Sequence, residues 1–281
     1  MSPAEVPVRP VRPWSQHWLR MAPVRALRKV AFNGFGLMPA AEALQARLQS
    51  SIDGRGEAYE AVEAYRLAPS VPLGHHAFGA VIATYNRSTS CAEAVVSVLD
   101  QDTGDGLVVV VNDGGAVPLL PDDERVVLVS LSQHTGNLGL VRNVGIRLIR
   151  DRVGLIGFLD DDNTWLPSHL RVHANARTPG TPALSYSGVE VVDTRGTVVD
   201  TLDRPWSRRQ LRHRNFVDAN SIVVDAQSVS LFSRLHRANL SMRKEDWEYV
   251  YRLSVRLPVI QIADITVRYL RNPASYLTDH R

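Results

Sequence analysis

Three short apolar runs punctuate the middle of the chain, and each ends abruptly in polar residues. Phe78-Gly79-Ala80-Val81-Ile82-Ala83 opens into Thr84-Tyr85-Asn86-Arg87. Leu107-Val108-Val109-Val110-Val111 opens into Asn112-Asp113-Gly114-Gly115, and Leu155-Ile156-Gly157-Phe158-Leu159 into Asp160-Asp161-Asp162-Asn163. Near-continuous Val, Ile and Leu runs of this length predict strands buried on both faces. Between them, residues 88–101 place Ala92, Val95, Val96 and Leu99 at helical spacing. Residues 138–150 do the same with Leu140, Val141, Val144 and Leu148. Strand, helix, strand, helix, strand predicts an α/β layer with parallel strands. Ligands of such sheets bind beyond the carboxyl ends of the strands, where all three runs deliver their polar groups.

The flanking sequence reads differently. Residues 1–75 form an N-terminal helical extension, with helices expected over 14–31, 38–48 and 56–67. In the last of these Tyr59, Val62 and Tyr65 fall on related faces. Ala68-Pro-Ser-Val-Pro-Leu-Gly74 is a breaker-rich linker. The main domain then runs over 76–281, its first half to about 170 holding the three strand ends and its second half covering about 171–270. Residues 183–200 carry strand-like segments with Asp193-Thr-Arg-Gly196 as the hairpin turn. Residues 203–215 are a polar stretch in which Arg204, Arg208, Arg209, Arg212 and Arg214 surround Trp206. A strand is expected over 221–224, a helix over 245–255 and a further strand within 258–270.

Composition narrows the class. A hydrophobic content of 44% with 22% charged residues is that of an ordinary globular protein, and the length allows a sizeable core. A net charge of +3 is too small to argue for nucleic acid, and no nucleic-acid partner is expected. Cys91 is the sole cysteine, which removes an intrachain disulfide and a cysteine-rich zinc site. No apolar stretch reaches membrane-spanning length, so a cytoplasmic protein is expected. The first thirty residues carry Arg9, Arg12, Trp14, Trp18, Arg20, Arg25, Arg28 and Lys29 against Glu5. This composition leaves open a peripheral contact with anionic lipid, or an arm packed on the domain or on a second copy in a homo-oligomer.

The acidic end of the third run carries the candidate chemistry. Adjacent aspartates repel one another, and a divalent cation among them removes the penalty because hard cations take oxygen ligands. Along an extended backbone alternate side chains share a face, so Asp160 and Asp162 are expected to point together and Asp161 away. The plainer reading is an acidic turn leading into the next helix.

From Phe78 to about Leu270 the chain resembles the family 2 glycosyltransferases, inverting enzymes with a GT-A fold. Val81-Ile-Ala-Thr-Tyr-Asn-Arg87 resembles that family's first strand and loop, with Ala83 where proline is common. Ser97-Val-Leu-Asp-Gln101, Val111-Asn-Asp-Gly-Gly115, Gly136-Asn-Leu-Gly139 and Val141-Arg-Asn-Val-Gly145 follow in the family's order. Phe158-Leu-Asp-Asp-Asp-Asn163 stands at the family's D-x-D motif, and Glu245-Asp246-Trp247 at the acidic pair near its catalytic base. The resemblance implies a GT-A type, Rossmann-like, mostly parallel sheet flanked by helices. It implies a metal-dependent inverting transfer of a sugar from a nucleoside-diphosphate sugar, taken as uridine-linked, to an unidentified acceptor hydroxyl.

It also implies roles. Asp162, with Asp160, would ligate Mn2+ or Mg2+, the ion neutralising the departing diphosphate. Asp160 and Asp161 would also meet the donor, and Asp113 would accept from the nucleobase. Thr84, Tyr85 and Arg87 would line the nucleoside cleft, and Arg142 would contact base or phosphates unless it is a helix-surface arginine. Asp246, beside Glu245, would be the general base that takes the acceptor proton; charge at a helix N-terminus is the competing reading. Asn220 and Ser221 sit where donor sugar or acceptor is contacted, and the arginines of 203–215 would meet phosphate or an anionic acceptor, or remain solvated. His280 carries no assignment. A mutase or isomerase using the same pocket, and a noncatalytic nucleotide-sugar-binding module, are the competing functions.

Overall fold

A computed structural model of the chain describes residues 55–234 and 245–271. The helices expected over 14–31 and 38–48, the basic arm and His280 lie outside the described residues. The described elements begin with α1 (Arg55–Leu67), β1 (His76–Thr84), α2 (Ser88–Leu99), β2 (Gly106–Asn112) and β3 (Val126–Ser130). Then come α3 (Leu138–Ile149), β4 (Val153–Asp160), β5 (Thr164–Trp165), α4 (His169–Asn175), β6 (Leu184–Val192) and β7 (Val198–Leu202). The last are α5 (Arg208–Leu211), β8 (Ile222–Asp225), α6 (Glu245–Leu253) and β9 (Val259–Leu270).

The three apolar runs become β2, β1 and β4, which lie side by side and parallel, with β3 parallel at the edge. They read as unbroken apolar runs because both faces are covered. Val81, Ala83, Val109 and Val111 join one core with α3 and α6. Ala80, Ile82, Val108 and Val110 join the other with α2 and Trp165. The sheet continues β8-β6-β9-β5, with β7 paired to β6. Here the expectation of a mostly parallel sheet needs refining: β4–β8, β6–β8, β6–β7 and β5–β9 are antiparallel, and only β6–β9 is parallel. The result is a mixed α/β sheet, parallel through its first half. The β6–β7 hairpin turns at Asp193–Gly196 as expected, with Gly196 at φ +80° and its N–H donating to the Asp193 carbonyl at 2.9 Å.

Helix α1 packs on α3, and Leu67 and Val71 enter the main core. Its buried face is not the expected one. Val62 and Tyr65 are 62% and 86% exposed, whereas Glu60, Glu63, Ala64 and Leu67 are buried. The reason is local pairing. Glu60 accepts from Asn143 Nδ2 at 2.7 Å and from Arg234 Nη1 at 3.2 Å, and Glu63 accepts from the Ser132 N–H at 2.9 Å. An acidic residue can thus hold a buried position that apolar periodicity assigns to its neighbours.

Candidate functional site

The carboxyl ends of β1, β2 and β4 converge, and a small number of arginines and asparagines set the geometry there. Strand β4 stops at Asp160, and Asp161 and Asp162 lie in the turn that follows. Strand alternation therefore does not govern them. Asp161 is buried, accepting from Thr84 Oγ1 at 2.7 Å and Arg87 Nη1 at 3.0 Å. Asp162 accepts from the same Arg87 nitrogen at 2.7 Å, so these two share a cation instead of facing apart. Burial pushes the Asp162 carboxyl up to about 6; the Asp160 charge adds to this and Arg87 opposes it. Burial raises Asp161 as well.

Asp160 has a separate set of partners. It pairs with Arg142 Nη2, and Asn220 braces it twice. The Asn220 Oδ1 accepts the Asp160 N–H at 2.6 Å, and its Nδ2 donates to Asp160 Oδ2 at 3.1 Å. Arg142 Nη1 also donates to Glu245 Oε1 at 2.9 Å. Arg142 is 1% exposed, which disposes of the helix-surface reading. Burial works against its charge, yet Asp160, Glu245 and Asp246 hold the guanidinium above its ordinary value. Its plane lies over the Phe232 ring, 5.2 Å from the centroid. One side chain thus joins the acidic end of β4 to the first turn of α6.

Asp246 is buried in that first turn. Its Oδ1 accepts the Trp247 N–H at 2.7 Å, and its Oδ2 accepts from Asn215 Nδ2 at 3.2 Å.

At the β2 end the Asp113 carboxylate is occupied by its own fold. It accepts from the Thr135 N–H and Oγ1 at 2.9 and 2.8 Å, from the Gly136 N–H at 2.9 Å, and faces His134 Nδ1 at 3.0 Å. It thereby fixes the 133–137 loop. The Tyr85 ring stacks on His134 at 3.9 Å and remains 42% exposed. Gly114 and Gly115 are demanded by this crowding. A Cβ on Gly114 would lie 2.6 Å from the Gln133 backbone, and one on Gly115 2.6 Å from Asn86 Oδ1.

A model of "Glycosyl transferase family 2" matches residues 80–236, more than half of the chain. The chain belongs to glycosyl transferase family 2. Its α/β fold is similar to that of the solved structures given below. The match takes in β1, β2 and β4 with their polar ends and stops before α6, so Glu245 and Asp246 lie beyond it, as does α1. Among solved structures the chain is similar to S. aureus TarS 1–349, with a TM-score of 0.53 and 16% identity over 69% of this chain. The same TarS fragment in complex with UDP-GlcNAc gives a TM-score of 0.54 and 15% identity over 73% of this chain. The chain spans 60% and 61% of those two neighbours. No curated protein matches the sequence.

Within this family frame, the structure brings Thr84, Arg87, Asp160, Asp161, Asp162 and Arg142 into two adjoining ion-pair sets and ties Glu245 to the second. Asn215 and His134 belong to the same surroundings and were not singled out from sequence; a lone Asn beside an arginine run and a His in a loop give no periodic signal. A groove of about 660 Å3 runs along α2, lined by Val96, Leu119, Trp165 and Pro167. It lies on the sheet face opposite α6, since α2 and α6 pack in different cores. Among the described residues no set of three or more His, Cys, Asp or Glu side chains is arranged to hold a metal ion, and no helix is long and apolar enough to cross a membrane.

Proposed function

We propose that the protein is a glycosyltransferase that moves a sugar from a nucleoside-diphosphate sugar, uridine-linked, to an acceptor hydroxyl with inversion, using Asp246 as the general base. The observation that carries the reading is the Arg142 bridge from Asp160 to Glu245. It couples the strand end where α/β folds take their ligands to the helix turn that holds Asp246. A base must stand within reach of a fixed donor on the face opposite the leaving group, and a rigid cation between the two carboxylate sets maintains that spacing. Asn215 orients one Asp246 oxygen, and the Trp247 N–H binds the other. The exposed Tyr85 ring offers a stacking face to a nucleobase. The complex of TarS with UDP-GlcNAc supports this class of donor.

A divalent ion, Mn2+ or Mg2+, fits the residues in one form. Such ions are commonly held by one or two carboxylates together with substrate phosphates. Asp162, whose carboxyl is pushed up by burial and by the Asp160 charge, would hold it with Asp160. When bound, the ion supplies charge neutralisation at the leaving diphosphate. Asp160, Asp161 and Thr84 would then hold the donor's ribose end, and Arg87 its phosphates.

Incubating the protein with Mn2+ and a panel of nucleotide sugars, with and without acceptors, tests the reading. Acceptor-dependent release of nucleoside diphosphate is expected. A rearranged sugar still joined to its nucleotide would replace transfer with isomerisation. Asp246→Asn should lower transfer by at least roughly a hundredfold while donor affinity stays within about twofold. Normal transfer by that variant removes Asp246 as the base.

A further inference from the structure

We propose that the arginines of residues 203–215 form the acceptor-side binding surface, and that the acceptor is anionic, carrying phosphate or carboxylate groups close to the reacting hydroxyl. This rests on the transfer reading above and names the acceptor class for it.

Arg204, Arg209, Arg212 and Arg214 are all exposed, and none has an ion-pair partner among the described residues. Arg87, Arg142, Arg177 and Arg234, by contrast, each sit against a carboxylate. The only acid within 203–215 is Asp203. The segment is nevertheless anchored, not merely draped. Leu211 is buried, and Trp206 and Phe216 pack with Tyr186 at centroid distances of 6.2 and 6.4 Å.

The same segment is fastened directly to the helix of the proposed base. Trp247 Nε1 donates to the Leu211 carbonyl at 2.5 Å, and Asn215 Nδ2 donates to Asp246 at 3.2 Å. Arg208 is spent on this anchoring, its guanidinium 4.7 Å over Tyr251 and its Nε 3.3 Å from Ser254 Oγ. Arg212 and Arg214 are the chain neighbours of Leu211 and Asn215, the two residues hydrogen-bonded to the first turn of the base helix. An acceptor presenting its hydroxyl to Asp246 must therefore pass this cationic rim. Guanidinium groups bind phosphate and carboxylate bidentately, and unpaired ones raise the local concentration of anions. A neutral acceptor would make no use of four unneutralised charges at that place. Arg87 and Arg142, at the strand ends, are already engaged by carboxylates, and the donor diphosphate there would draw its counter-charge from the divalent ion proposed above.

The test compares the full-length chain with an Arg204→Gln/Arg209→Gln/Arg212→Gln/Arg214→Gln variant. Exposed substitutions of this kind leave folding nearly unchanged, which the melting temperature verifies. Binding of polyphosphate, polygalacturonate and neutral dextran is measured at physiological ionic strength with UDP present. The wild-type protein is expected to bind one or both polyanions and not dextran, the tighter one identifying phosphate or carboxylate as the anion. The variant should lose about tenfold or more in polyanion affinity and keep its UDP affinity. The arginines of the first thirty residues are the same in both proteins, so the difference isolates the patch. Equal binding by the variant overturns the proposal, and so does an equal loss of UDP affinity, which would assign the patch to the donor. Because the readout needs no turnover, absence of transfer with every acceptor would refute the transfer reading separately.

Discussion

With its side chain 2% exposed and divided between Asp160 and Glu245, Arg142 pairs with two carboxylates that lie 18 and 103 residues from it in the chain. Removing one partner of such a set leaves the others desolvated and unpaired. Arg142→Met should therefore lower stability by on the order of 2–3 kcal/mol, less than for a fully dry pair because Asp160 and Glu245 retain some water. Urea unfolding measures this, and a change below about 0.5 kcal/mol would show that the bridge contributes little. Arg142→Lys should restore only part of the loss, since one ammonium cannot span both carboxylates as a planar fork does. Asp162 behaves in the opposite sense. Its folded value of about 6 lies above the ordinary 3.8, so between those pH values the folded chain binds more protons than the unfolded one. The stability this gives is present below 3.8 and lost as pH rises through 6. Asp162→Asn should stabilise the metal-free protein at pH 7.5 by about 1–2 kcal/mol and change it little near pH 4. A destabilised variant at pH 7.5 would mean that the ion pair with Arg87 outweighs the burial of the charge.

At the scale of elements, legibility followed how completely each one is wrapped. β1, β2 and β4 were readable because both faces are apolar, and α2 and α3 because one stripe of each is. β3 is a half-buried edge strand of five residues, and β5 has two; neither is long enough to present a period. α4 was hidden for a different reason. Its buried side carries His169 and His173, residues that sequence patterns score as polar. The candidate site was readable as a set of strand ends, whereas its wiring was not. Arg142, Asn220 and Asn215 act through partners distant in the chain, and the turn after Asp160 cancels strand alternation at Asp161 and Asp162. The α4 histidines yield a pH prediction. Their Nδ1 atoms lie 2.7 and 2.6 Å from Thr266 Oγ1 and Ser185 Oγ, and both Nε2 atoms are buried without a partner. Burial drives His169 down to about 3 and lowers His173, to which His169 and Arg177 add. The stability of this packing is present above 6.5 and lost as pH falls toward 3, at roughly 1.4 kcal/mol per histidine for each pH unit below about 6. Other groups, Asp162 among them, titrate in the reverse sense over the same range. The measurement is therefore the difference in unfolding free energy between the wild type and His169→Gln/His173→Gln. That difference should shrink from pH 7 to 5; a constant difference would show that the two histidines take up protons alike in the folded and unfolded states.

Across the whole molecule, the two cores bring together the parallel strand ends, helix α6 and the arginine-bearing 203–215 segment, and four carboxylates at the strand ends and on α6 are paired with only two arginines. Arg87 is shared by Asp161 and Asp162, and Arg142 by Asp160 and Glu245. With no three-ligand metal set among the described residues, a cation arriving alone must displace an arginine contact while keeping few protein oxygens. A nucleoside diphosphate arriving alone brings negative charge toward three aspartates. Each ligand supplies what the other lacks, so their binding should be coupled and reciprocal. Mn2+ alone and UDP alone, each at millimolar concentration, should shift the melting temperature by no more than about 1–2 °C. Together they should shift it by roughly 5 °C, the size expected when ligand exceeds its dissociation constant about a hundredfold in a chain of this length. Additive shifts would mean that the ion has a complete site of its own in the protein. With Asp162→Asn the joint shift should fall toward the UDP-only value, because the ion then keeps only Asp160, a carboxylate already paired with Arg142; an undiminished shift would place the cation elsewhere.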